Sequence, residues 1–393
     1  MRSLLWLPLV LLMASSSLAS AEKVWEPAGS AGSDLVCPPQ GSANLCLPLD
    51  ASWQVVQFAG DGNCSGPVNP NDPCQRNDDD HTASVPLSFT FDLYGSPQTS
   101  VFNNNNGNLS FGAGYCEFTA TGFPVTGFPM VAPFWADVDT RAATNNDGVV
   151  WMKQGPNYLA VTYDHVGYYN VHPDLQNTFQ VIISDGTFEP MGLGNNVCFC
   201  YGDMQWTTGD ASGGSGGFGG TPATVGVNKG DGVDYFQIGR FDHPGIDYDG
   251  PGGNPDGVDF LDNTHSCFSV GAEFNQPPVP INFPQGNQIC VAVGETLNLS
   301  VGFIGPEANQ TVHTAVNPFG LPNFSFVSTD GNPSTVNMTF TPVLGQVGNH
   351  VVHFTATDNF NPPATTEVDL TLCVTSPVPT RDSTWGQLKA MYH

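Results

Sequence analysis

"FPMVAPFWADVDTRAATNNDGVVW", residues 128–151, runs an apolar, aromatic-rich stretch into Asp137, Asp139, Arg141 and Asp147, then returns to apolar residues. One reading makes it strand, loop and strand. Phe134 and Trp135 are then core residues, Asp137, Asp139 and Arg141 form a charge-paired exit, and the chain turns at Asn146-Asp147-Gly148 and re-enters the sheet at Val149. A second reading makes it a cation site, and a third makes it a reaction centre. Two aspartates two residues apart on an extended chain share a face about 7 Å apart, a separation that suits the acid and base of a glycosidase. Against this, an Asp-x-Asp at a strand end is common, Arg141 can pair with either acid, and no second acid motif accompanies them.

The surrounding composition narrows the choice. The chain opens with "MRSLLWLPLVLLMASSSLASAEKVW", where Arg2 precedes the apolar run Leu4–Met13 and Ala19-Ser20-Ala21 offers small residues for cleavage. This is the pattern of a secretory signal peptide over residues 1–21. The run is shorter than the roughly 20 residues a spanning helix needs, and no later segment comes closer, so no transmembrane segment is expected. Asp plus Glu number 36 against 9 Lys plus Arg, a formal charge of -27. Nucleic acid and anionic membranes are poor partners for such a chain, because both need basic patches.

Gly (45), Pro (33) and Phe (26) are abundant, and charged residues make up only 11%. Short runs of Thr, Val and aromatics between Gly, Asn, Asp and Pro predict an all-β protein. Ten cysteines, an even set in an exported chain, predict disulfides rather than a thiolate metal site. Cys290 and Cys373 sit near the first and last strands of one small predicted sandwich, where a bridge would staple its ends. The pairing of the other eight stays open.

Four segments follow the signal peptide. Residues 22–83 hold four cysteines and "GNCSGPVNPNDPCQRNDDDH", with weak periodicity, and read as a cysteine-rich irregular cap. Residues 84–272 change pattern. Val85, Leu87, Phe89, Phe91 and Leu93 alternate with smaller or polar residues, Asn106-Gly107 gives a hairpin signal, and Gly155-Pro156-Asn157 gives another. After the proline-rich joint "FNQPPVPINFP", residues 277–375 show alternating strands with turns at intervals near ten, the size of one immunoglobulin-like β-sandwich. Residues 376–393 are a tail.

The blocks "SVFNNNNGNLSFG", "FPMVAPFWADVDTR", "DGVVWMK", "DHVGYYNVHPDLQNTFQVIISDG", "DMQWTTG" and "GGTPATVGVNKGDGVDYFQI" resemble, in this order, the NIDO domain of nidogen and alpha-tectorin. The likeness covers roughly residues 85–270, and Pro133, Phe134, Trp135, Asp137, Asp139 and Arg141 carry its clearest marker. It implies an extracellular domain associated with cell-matrix adhesion and no catalytic residues. Recognisable growth-factor-like, von Willebrand or sushi modules do not follow. "FTATDN" (354–359) is similar to the last-strand pairs of bacterial immunoglobulin-like and cadherin-like surface modules.

Among candidate sites, "DHPGIDYDGPGGNPDGVDFLDN" places Asp247, Asp249, Asn254, Asp256 and Asp259 in one glycine-rich loop, the oxygen-rich supply Ca²⁺ takes. Pro251 and the missing closing glutamate exclude an EF-hand register. The plainer alternative is a surface loop of Asx turns. Ser212 and Ser215 lie outside a nucleophile elbow. Six Asn-x-Ser/Thr sequons, at Asn63, Asn108, Asn298, Asn309, Asn323 and Asn337, suit an exported protein.

The expectation is therefore a secreted or cell-surface, non-enzymatic adhesion or matrix-type protein that binds extracellular matrix, a cell-surface protein or a glycan. A secreted carbohydrate-active hydrolase using Asp137 and Asp139, and a structural surface-assembly subunit, are the alternatives.

Overall fold

The structure, a computed structural model, describes residues 45–58, 72, 74–141, 148–271, 275–306, 310–360 and 363–376. The signal peptide, the tail from 377, Cys37, Cys64, Asn63, Asn309 and the turn at Asn146-Asp147 lie outside the described residues. The chain is all-β, with helix limited, among the described residues, to 3₁₀ turns of three or four residues.

Two large sheets enclose the main core. One runs, in spatial order, through Gln54–Val55, Val149–Gln154, Tyr158–Tyr168, His172–Ser184, Val197–Met204, Thr264–Phe268 and Phe283–Pro284, with Val138–Asp139 also on Tyr158–Tyr168. The other runs through Asp256–Gly257, Tyr235–His243, Ala223–Asn228, Met130–Trp135, Asn108–Ser110, Ser96–Asn104 and Val85–Leu93. Phe91, Val131, Phe134 and Val225 from the second sheet meet Val161, Tyr163, Phe179 and Phe199 from the first in one buried cluster. The inward residues alternate along the strands because successive side chains leave a pleated strand on opposite faces.

The predicted turns fall between paired strands. Ser96–Asn104 pairs with Asn108–Ser110 around Asn106-Gly107, and Val149–Gln154 pairs with Tyr158–Tyr168 around Gly155-Pro156-Asn157. Gly107 has φ +73°, and the Phe134 carbonyl lies where a Cβ would stand, so only glycine fits this turn.

The outer face of the first sheet carries a second cluster of Trp53, Trp151, Ala160, Ile182, Cys198 and Cys200. The Cys46–Cys200 and Cys198–Cys267 disulfides cross it. Cys74 and Cys116 are disulfide-bonded as well.

Residues 279–375 form two four-stranded sheets around Val301, Phe303, Val336, Phe340, Val352, Phe354, Leu370 and Leu372. Gln288–Ala292 runs parallel to Thr365–Thr375 with Cys290 directly opposite Cys373, and these two cysteines are disulfide-bonded. The bridge lies within one sheet, whereas the disulfide of antibody domains joins two.

Candidate functional site

The opening stretch does not fold as a hairpin. Met130–Trp135 belongs to one large sheet, while Val138–Asp139 and Val149–Gln154 belong to the other, so the chain changes sheets between Trp135 and Val138. A bulge prepares the crossing. Three steps from Ala132 to Trp135 oppose two from Gly226 to Thr224. Pro133, which has no N–H to donate, sits in the extra length. The bulge turns Phe134 into the main core against Phe179 and Trp206, and turns Trp135 into a separate cluster with Met130 and Ala132. Trp135 Nε1 donates to the Glu117 carbonyl at 2.8 Å.

Asp137 sits at the crossing, 2% exposed, with Asp139 fully buried two residues on. The two acids have different surroundings. Asp139 takes a side-on fork from Arg141, Nε to Oδ1 at 2.9 Å and Nη2 to Oδ2 at 2.6 Å, and its Oδ2 also accepts the Val171 N–H at 2.9 Å. Arg141 reaches Asp78 Oδ2 at 2.8 Å with the same Nη2. The expected charge-paired exit therefore holds for Asp139 and Arg141 but leaves out Asp137. Its Oδ2 has no hydrogen-bond partner among the described residues. The reason is that the guanidinium is already shared between Asp139 and Asp78.

Asp78 and Asp79 come from "NDDDH" (77–81), at the end of the segment read as an irregular cap. Asp78 bridges to Asp139 as a strand pair, the Thr140 N–H donates to the Asn77 carbonyl at 3.0 Å, and the Asn105 N–H donates to the Asp80 carbonyl at 2.8 Å. The segment is thus laid along the sheet crossing by main-chain bonds. Asn106 then joins its two sides. Its Nδ2 donates to Asp79 Oδ1 at 2.8 Å and its Oδ1 accepts the Val138 N–H at 3.1 Å. One oxygen each from Asp78, Asp79 and Asp137 lies within 4.8 Å of the others. Burial, then the neighbouring acids Asp79, Asp78 and Asp139, push the Asp137 carboxyl up to about 8. Burial, then Asp139 and Asp79, push Asp78 up to about 7. Sequence reasoning missed these two cap residues; their signal was a run of acids and amides where periodicity was weak.

The acidic loop behaves differently. Asp247 Oδ2 pairs with His243 Nε2 at 2.9 Å, Asp249 Oδ2 accepts the Asn254 N–H at 3.2 Å, and Asp259 Oδ2 accepts the Gly245 N–H at 3.1 Å. Asp256 is buried; its Oδ1 accepts the Asp249 N–H at 3.0 Å, and burial pushes its carboxyl up to about 7. These contacts knit the loop to itself and to the end of the Tyr235–His243 strand.

A cleft of about 730 Å³ lies elsewhere, lined in part by Pro190, His265, Pro278, Glu367 and Asp369. Among the sequons, Asn108 is fully buried between strands, whereas Asn298, Asn323 and Asn337 are exposed. Among the described sequons, a glycan on the folded chain would therefore have to use the latter three.

Residues 67–244 match the family model described as NIDO related. The match begins inside the segment read as a cap and takes in the acidic run 77–81. Alpha-tectorin of Mus musculus is 32% identical over 188 residues, 41% of this chain and 8% of that protein. Alpha-tectorin of Gallus gallus is 33% identical over 199 residues, 44% of this chain and 9% of that protein. The chain thus spans less than a tenth of the length of these relatives. An endo-fucoidan hydrolase of glycoside hydrolase family 107 is 12% identical over 25% of this chain and 14% of that one, with a TM-score of 0.19, too low to bear on fold or function. No described helix is long and apolar enough to cross a membrane.

Proposed function

We propose that this chain works outside the cell by binding, as a secreted or cell-surface protein of the matrix-adhesion type. Residues 84–272 would be the NIDO-like recognition unit, and residues 277–375 an immunoglobulin-like module that spaces it or adds a second contact. The observation that carries this reading is the match of residues 67–244 to the NIDO related model, on an all-β framework crossed by disulfides. The exported compartment suits those disulfides. The partner class is a matrix component, a cell-surface protein or a glycan. Burial of Asp137 and Asp139, and the Arg141 fork on Asp139, weigh against catalysis at this pair.

The test is a solid-phase assay with the purified full chain against matrix extract, intact cells and a glycan array, with turnover of a polysaccharide panel followed in parallel. Saturable retention on one of these surfaces without turnover is expected. Turnover that disappears in Asp137→Asn would replace this reading with a hydrolase, and concentration-dependent self-assembly without retention would replace it with a structural subunit.

A further inference from the structure

The cluster at the sheet crossing is built unlike a solvated acidic patch. Its acids are buried, they come from two segments far apart in sequence, and main-chain bonds fix their spacing. Burying carboxylates side by side is costly unless an opposite charge joins them. Arg141 supplies one such charge, directed at Asp139 and Asp78. Asp137 makes no ion pair among the described residues, and both its Oδ2 and Asp78 Oδ1 are buried with no hydrogen-bond partner there. Asn77 Oδ1 and Asn105 Oδ1, on the segments that flank the cluster, are also buried without a partner. Buried carboxylate oxygens left unpartnered on Asp78 and Asp137, within reach of one another and of Asp79, call for a positively charged ligand.

We propose that Asp78, Asp79 and Asp137 bind one Ca²⁺ ion that joins the 77–81 segment to the sheet crossing. Two oxygens on one Ca²⁺ stand at most twice the metal–oxygen distance apart, about 5 Å for bonds near 2.4 Å. The three carboxylate oxygens meet that limit. The donors are all oxygen, with no His or Cys in the group, which suits a hard cation rather than zinc or copper. Mg²⁺ fits less well, since it holds its waters tightly and these carboxylates are buried. Gly209 is part of the construction. A Cβ there would meet Asp137 Oδ2, so glycine lets the following loop close over the carboxylate.

This proposal is independent of what the protein adheres to. The full chain, stripped with chelator and desalted, is titrated with CaCl₂ by calorimetry while its thermal midpoint is followed. One ion per chain and a rise in midpoint are expected. Asp137→Asn and Asp79→Asn should each weaken binding at least about tenfold while keeping the β-sheet circular dichroism spectrum. Asp249→Asn, in the other acidic loop, should leave binding unchanged. The proposal is overturned by a wild-type chain that shows neither heat nor a shifted midpoint at millimolar Ca²⁺. It is equally overturned by binding that survives in Asp137→Asn and Asp79→Asn but is lost in Asp249→Asn. Were neither cluster variant to fold, the wild-type titration with and without Asp249→Asn would still decide it.

Discussion

Asp139 is held by the Arg141 fork, by the Arg141 N–H at 2.9 Å and by the Val171 N–H, all in a buried position. Removing the carboxylate leaves the other charge and two amides unsatisfied, a loss of about 3–5 kcal/mol for buried pairs. Because Arg141 is partly exposed and keeps Asp78, Asp139→Ala should fall at the lower end, about 3 kcal/mol, read from urea unfolding midpoints. A loss within error would show that the fork is decorative. Two other single groups set a pH dependence. Burial lowers the pKa of His265, whose Nδ1 has no partner among the described residues, below its ordinary 6.5. The unfolded chain therefore takes up a proton that the folded one refuses, and stability should fall as pH drops below 6.5. Asp262 works the other way, because burial raises it from 3.8 to about 7. The folded chain holds that proton while the unfolded one releases it, so stability is lost as pH rises through this window. The midpoint of Asp262→Asn relative to wild type should accordingly climb from pH 4 to pH 7 and level off above it, the two limits being the pKa values just given. A difference that is flat with pH would refute the assignment. At this scale the burial of Phe134 and Trp135 was legible from the apolar run. The isolation of Asp137 was not, since it follows from a bulge and a change of sheet that involve strands about ninety residues downstream.

Gln54–Val55 is a two-residue edge strand, too short to stay paired on its own bonds. Trp53 and Val56 anchor it from either side, Val56 N–H donating to the Val150 carbonyl at 2.8 Å, and Cys46–Cys200 ties it to the middle of the sheet across 154 residues of chain. A bridge closing so long a loop removes much denatured-state entropy, up to about 5 kcal/mol on the chain-entropy account. The double variant Cys46→Ala/Cys200→Ala should therefore lose about 3–5 kcal/mol, and the Val56 amide should exchange with solvent far faster than the amides of Val161 or Val181. Uniform protection in the variant would show that the element stands without its bridge. Strands with strict alternation, such as Val85–Leu93, and the turns at Asn106-Gly107 and Gly155-Pro156-Asn157 could be read locally, because their signals lie within a few residues. Sheet partners could not. "NDDDH" looked irregular because its pairing is with Asp139, Thr140 and Asn105, contacts that no local period encodes.

Across the whole molecule, the all-β class followed from composition and turn spacing, whereas the junction between its two parts did not. Residues 279–284 look like a linker, yet Val279–Ile281 pairs with Leu297–Ile304 of the small sandwich while Phe283–Pro284 pairs with Thr264–His265 of the large sheet. Val279, Ile281 and Ile304 are counted in the main core, and Phe283 lies in the sandwich core, edge-on to Phe303 and Phe354 at centroid distances of 5.4 Å. The segment is thus laced through both parts. Two domains on a free linker unfold separately, whereas two that share a strap unfold together, because breaking either exposes apolar surface of the other. Calorimetry of the wild-type chain should show one coupled transition. Phe283→Ala removes a fully buried ring, a cost of about 3–5 kcal/mol, and it does so at the strap. It should split the transition in two, with the lower-melting part belonging to the sandwich. Two independent transitions in the wild-type chain, or a Phe283→Ala chain that still melts in one step at a lower temperature, would mean that the junction transmits no stability and that 277–375 is a module merely attached to its neighbour.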